Sequence, residues 1–125
     1  MLQTIQTDKA PKAVGPYSQA VSANGFIFLS GQIPLDPKSG QLVAGSIGEQ
    51  TRQVLTNLSH VLAEAGSSLS KVVRTTVYLK DMKDFEEMNA VYSEFFQETK
   101  PARATIAVAA LPKNANIEID AIALG

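Results

Sequence analysis

Apolar and polar residues alternate with two different periods along this chain, and the switches between them predict its elements. Residues 2–6 alternate weakly and predict an edge strand. Lys9 to Tyr17 holds Pro11 and the Gly15-Pro16-Tyr17 step, so it reads as a loop: proline has no N–H to give a ladder. Ser18 to Ser22 and Gly25 to Gln32 predict two strands around Asn24-Gly25, the strongest short hairpin signal. The second of these, Phe26-Ile27-Phe28-Leu29-Ser30-Gly31, is apolar at successive positions, which predicts burial on both faces. Pro34 to Gly48 is a long turn-rich connection holding Pro37, Gly40 and Gly45.

The period then changes. Ser46 and Glu49 stand three apart, as a capping box requires, and Val54, Leu55, Leu58, Val61, Leu62 and Ala65 form one helical stripe that Gly66 ends. Val72 to Lys80 is β-branched and aromatic and predicts a strand. Asp84-Phe85-Glu86-Glu87 reads as a second capping box. Its helix carries Phe85, Met88, Tyr92, Phe95 and Phe96 on one face and frays near Thr99, before Pro101. Two apolar segments, one opening at Arg103 and one at Ile117, predict the last strands. The order β-β-β-α-β-α-β-β gives an α+β fold, a six-stranded sheet with two helices on one face. The strands at Phe26, Val72 and Ala104 then leave an apolar sheet face that nothing in the chain covers. A homo-oligomer that packs sheet against sheet is expected.

Composition narrows the chemistry. The 125 residues, 45% apolar with a net charge of -1, fit one soluble domain spanning 1–125. Absence of cysteine removes thiol catalysis, disulfides and thiolate metal sites, and a single histidine offers no metal-ligand cluster. Lys and Arg are scattered, so no nucleic-acid surface is expected. The first residues lack the layout of a secretion signal and no apolar run is long enough for a bilayer; a cytoplasmic protein is expected.

Two charges stand where apolar residues are expected. Arg103 opens one C-terminal strand and Glu118 lies between Ile117 and Ile119 in the other. A charge in such a segment is costly unless it is paired or binds something. Guanidinium matches a carboxylate in two parallel bonds. A carboxylate in a cleft can deprotonate a water or hand a proton to a leaving nitrogen. The structural alternatives are an ion pair of Arg103 with Glu118 or Asp120, and a solvent-facing Glu118. Asn89 follows Phe85 by four on the helical stripe and either bonds backbone or lines a pocket. Tyr17 either caps a cavity or packs, and Gly31 after Ser30 either admits a ligand or marks a bulge. His60 lies off the stripe centre and reads as a surface residue. No glycine loop for phosphate is present among Gly40, Gly45 and Gly48.

Pro101-Ala102-Arg103-Ala104-Thr105-Ile106, Val108-Ala109-Ala110-Leu111-Pro112-Lys113 and Ile117-Glu118-Ile119 resemble the C-terminal signature of the Rid/YjgF family. Gly15-Pro16-Tyr17-Ser18-Gln19-Ala20 and Ser30-Gly31-Gln32-Ile33-Pro34 resemble its N-terminal motifs, with residues 50–58 and 89–92 in order between them. The resemblance implies a chorismate-mutase-like fold and a homotrimer with clefts between subunits. It implies the RidA activity, cofactor-independent hydrolysis of enamine and imine intermediates such as 2-aminoacrylate and 2-iminobutyrate to 2-keto acids and ammonia. Arg103 matches the arginine that binds the substrate carboxylate and Glu118 the glutamate that positions or activates water. Tyr17, Ser30, Gly31, Asn89 and the Thr105 main chain match residues lining the cleft; Thr105 stands where many members have cysteine. The family also carries reports of ribonuclease behaviour, for which this sequence offers no chemistry. The competing reading is a small-carboxylate-binding or chaperone-like protein without turnover.

Overall fold

The computed structural model describes residues 2–125; Met1 lies outside that range. The strands are β1 (Gln3–Ile5), β2 (Ala20–Ala23), β3 (Phe26–Gln32), β4 (Val72–Leu79), β5 (Ala102–Ala107) and β6 (Ile117–Leu124). The helices are α1 (Ile47–Glu64) and α2 (Phe85–Phe95). The element order is the expected one, and the strands form one mixed sheet in the order β1-β2-β3-β6-β4-β5. All pairs are antiparallel except β4 with β5, which α2 connects as a crossover. The last strand therefore enters the middle of the sheet, and β5 forms an edge.

Local sequence accounts for most of this. Ala23 pairs with Phe26 across Asn24 and Gly25, whose φ of 55° and 82° are the two positive values that a type I′ hairpin turn needs. At the start of α1 the Glu49 amide donates to Ser46 Oγ at 3.2 Å and the Ser46 amide donates to Glu49 Oε1 at 3.4 Å, a complete capping box. At its end Gly66, with φ of 78°, donates to the Ala63 carbonyl at 3.0 Å while Ser67 donates to Leu62 at 2.8 Å, the Schellman arrangement. Val54, Leu55, Leu58, Val61 and Leu62 are fully enclosed. Each such side chain contributes up to about 1.5–3 kcal/mol on burial.

The second capping box is not formed. Asp84 is itself helical and makes no cap bond, because a 3₁₀ turn (Met82–Asp84) runs directly into α2. Asp81 caps that turn, accepting from the Lys83 amide at 2.9 Å. Glu87 instead accepts from the Gly48 amide at 2.9 Å, an N–H in the first turn of α1 that no helical carbonyl can reach. Gly48 permits this approach: a Cβ there would stand 3.0 Å from the Glu87 carboxylate and 3.3 Å from Val91.

The helices cover one sheet face, where Ile27, Leu29, Thr75, Val77, Leu79, Ile117, Ile119, Ala121 and Ala123 are buried. The other face is open. Phe26, Phe28, Ile106 and Leu124 are each 40–46% exposed on it, so β3 is not buried on both faces within one chain. One extra residue in β3, between Leu29 and Gln32 where it runs beside β6, makes a bulge at Ser30-Gly31.

Candidate functional site

Arg103 belongs to the helix-covered side. On β5 it is in register with Thr75 of β4, which in turn faces Ala121 of β6, and both partners are buried under the helices. Its guanidinium donates to Asn89 Oδ1 at 2.7 Å and lies 4.7 Å from the ring centre of Tyr92 and 5.7 Å from that of Phe85. Phe85, Asn89 and Tyr92 share one stripe of α2, so a single helical face builds the cradle. The Tyr92 hydroxyl is anchored to Thr75 Oγ1 at 2.7 Å, and burial holds this phenol above its ordinary pKa, so it stays neutral. A cavity of about 370 Å³ between α2 and β5 is lined by Asn89, Tyr92, Ser93, Phe96, Lys100 and Arg103. The ion pairs among the described residues are Arg52–Glu94 and Lys83–Asp81, so neither Glu118 nor Asp120 neutralises Arg103. Asn89 is therefore spent on the arginine side chain rather than on backbone. The result is a rigid, half-buried cation with no anion, which suits a carboxylate ligand.

Glu118 belongs to the open side. It faces Tyr78, three residues beyond Thr75 on β4, and a strand turns its side chains to alternate faces. Arg103 and Glu118 thus project from opposite faces of one sheet, and a single chain does not bring them together. The Glu118 side chain lies flat over the bulge at Gly31: a Cβ at Gly31 would meet Oε2 at 2.2 Å. Burial, and then the charge of Asp120, raise the Glu118 pKa above the usual carboxylate range. A cavity of about 310 Å³ here is lined by Tyr17, Gly31, Gln32, Glu118, Lys12 and Lys113.

The remaining expected residues divide between support and lining. Tyr17 is exposed and its hydroxyl accepts from the Val14 amide at 3.4 Å. Ser30 donates its hydroxyl to the Ser18 carbonyl at 2.6 Å and ties the bulge to the preceding loop. Thr105, in register with Val77, faces the helices, and its hydroxyl oxygen is buried without a partner. His60 is half-buried, with Nδ1 2.8 Å from the Lys9 carbonyl; a carbonyl only accepts, so the proton sits on Nδ1. Sequence reasoning passed over Gln19, which is buried and bonds the Thr7 amide and the carbonyls of Thr7, Ala10 and Pro11, folding the loop that carries Tyr17. A polar residue directly before the apolar β2 was the available signal. It also passed over Lys113, whose φ of 55° nothing in the sequence announces. Among the described residues no group of histidines and carboxylates is arranged to hold a metal ion.

A family model described as Endoribonuclease L-PSP matches residues 7–125. The chain belongs to the YjgF/Rid family. A RutC family protein of Pyrococcus horikoshii is 56% identical over 98% of this chain and 98% of its own length. The mouse protein named 2-iminobutanoate/2-iminopropanoate deaminase is 51% identical, over 98% of this chain and 90% of its own. Among solved structures, E. coli TdcF with bound serine superposes with a TM-score of 0.94 at 40% identity, covering 98% of each chain. Like these YjgF/Rid relatives, the chain has a six-stranded sheet with its helices on one side. No helix among the described residues is long and apolar enough to cross a membrane.

Proposed function

We propose that this chain is a 2-iminobutanoate/2-iminopropanoate deaminase, hydrolysing small 2-imino acids to 2-keto acids and ammonia in clefts completed by a second copy. The observation that carries the reading is the pair of half-sites: an unneutralised, ring-cradled Arg103 on one face and a desolvated Glu118 on the other. The naming of the mouse, human and cattle relatives as imine deaminases supports the reaction, and the serine bound to TdcF supports a small amino-acid-like ligand. The exposed Phe26, Phe28, Ile106 and Leu124 supply an apolar face for packing copies together, and a homotrimer closes such a ring without loose ends.

The chemistry follows from charge and position. Arg103 of one copy binds the substrate carboxylate and fixes the α-carbon beside it. The protonated imine carbon is already electrophilic, so the group most needed is a base for water. Glu118 of the adjoining copy takes a proton as the water oxygen bonds to that carbon and the C=N pair moves to nitrogen. It returns the proton to nitrogen. The C–N bond then breaks with its electron pair leaving on ammonia, while the hydroxyl proton goes back to Glu118 and the keto acid is released; Glu118 passes that proton to the ammonia, which departs as ammonium and leaves the carboxylate restored. Protein carboxylate and water balance every proton, so the scheme calls for no cofactor.

The test is a coupled assay in which an amino-acid oxidase generates the imine and its decay is followed. Arg103→Ala and Glu118→Ala should each remove the acceleration. Co-refolding the two variants in equal amounts should restore it in about a quarter of the clefts, those pairing one intact Arg103 with one intact Glu118. Silence of the mixture, with wild type active, refutes the shared cleft. No acceleration by assembled wild type refutes turnover and leaves a carboxylate-binding protein.

A further inference from the structure

The open face of β6 carries a second carboxylate that the scheme above does not use. Asp120 follows Glu118 by two residues, so both project from the same side. Tyr78 of β4 sits directly across from Glu118, and its hydroxyl reaches diagonally to donate to Asp120 Oδ2 at 2.8 Å. The three groups therefore form one cluster on the floor of the sheet, with Glu118 at the end that meets Gly31 and the Tyr17 cavity. Their hydrogen bonding is unequal. Asp120 has a phenol donor, whereas Glu118 makes no hydrogen bond to protein among the described residues.

We propose that Tyr78 and Asp120 are a positioning pair that makes Glu118 the proton carrier of the cleft. The inference rests on the hydrolysis proposed above and assigns the regulation of its proton. Each of two neighbouring carboxylates disfavours a charge on the other. The Tyr78 hydroxyl holds the Asp120 carboxylate in place, and the same bond raises the phenol above its ordinary pKa, so it remains the donor. Burial first, and then the charge of Asp120 two residues along the same face, favour the protonated form of Glu118, the form that gives a proton to departing nitrogen. The other charged or titratable groups around Glu118 are Lys12 and Lys113 in the loops lining its cavity and Tyr17 opposite; in the proposed assembly Arg103 of the adjoining copy joins them. None of the lysines lies within ion-pair distance of Glu118.

The experiment titrates the side-chain carboxyls by carbon NMR in assembled protein labelled at glutamate and aspartate, with Glu118→Gln and Asp120→Asn assigning the signals. In Asp120→Asn the Glu118 midpoint should move to lower pH, and the acid limb of the imine-hydrolysis profile should move with it while KM changes little. In Tyr78→Phe the Glu118 midpoint should move as well, because the bond that holds the Asp120 carboxylate beside it is gone. A merely structural role for the pair would change stability and leave the Glu118 midpoint in place. An unmoved Glu118 midpoint in folded Asp120→Asn overturns the proposal, as does an unmoved Glu118 midpoint in Tyr78→Phe should the first variant not fold. If the midpoints shift but wild type hydrolyses no imine, the cluster stands and the deaminase reading falls.

Discussion

Gly31→Ala separates the position of the Glu118 carboxylate from its presence. A Cβ added at Gly31 would stand 2.2 Å from Glu118 Oε2, 2.8 Å from Cδ and 3.0 Å from Cγ. Ordinary contact begins near 3.4 Å, so the carboxylate must retreat by about 1 Å or more. The atoms in the way are the far end of a flexible side chain, and Gly31 does not have a positive φ, so alanine meets no backbone strain. Lost freedom in the unfolded chain offsets the crowding, and stability should stay within about 1 kcal/mol of wild type. Catalysis is far less tolerant: a misplacement of this size costs on the order of 100-fold in rate. The check pairs urea denaturation with the coupled imine assay for wild type, Gly31→Ala, Glu118→Ala and the double variant. The double variant should be no slower than Glu118→Ala alone, because the glycine acts only through that carboxylate. A Gly31→Ala protein that folds and turns over at the wild-type rate refutes the role given to Glu118.

Three further outcomes are expected. Thr105→Val removes a buried hydroxyl that has no partner and keeps the shape, so it should raise stability by about 1–2 kcal/mol in denaturant melts and leave the imine rate unchanged. Glu87→Ala should cost about 1 kcal/mol by freeing the Gly48 amide, with the loss confined to stability; an unchanged melt would mean that water replaces the carboxylate. Glu118 holds its proton more tightly folded than unfolded, so its contribution to stability is complete below the unfolded midpoint and is lost as pH rises through the folded one. Glu118→Gln should therefore melt above wild type at neutral pH and converge with it below about pH 4, the ordinary glutamate range.

The parts of this molecule that sequence revealed are those that short-range physics decides. Ser46, Glu49 and Gly66 bound α1 because the caps lie within a few residues of each other, and Asn24-Gly25 turns the chain because its φ values are a local matter. Arg103, Asn89, Gly31 and Glu118 stood out because charge, amide or missing side chain sat badly with their surroundings. Placement across strands is another matter. Alternation gives the face of a residue relative to its own strand, yet the face of Arg103 relative to Glu118 depends on the register of β5 on β4 and of β4 on β6, which no segment encodes alone. The same limit explains Glu87: its spacing from Asp84 suits a cap, while its partner, Gly48, lies 39 residues away. The bond from Tyr78 to Asp120, 42 residues apart, was hidden for that reason too.

Because Arg103 and Glu118 look out from opposite faces of one sheet, a solitary folded chain holds both halves of the proposed site and cannot use them together. In the proposed assembly, specific activity becomes a matter of dosage. Dilution past the point where copies separate should extinguish turnover while every chain keeps its fold. Inheritance is affected as well. A defective copy that still assembles is not simply absent: lacking one of the two residues it silences one cleft, and lacking both it silences each cleft it borders. A faulty allele would then draw down the output of the sound one.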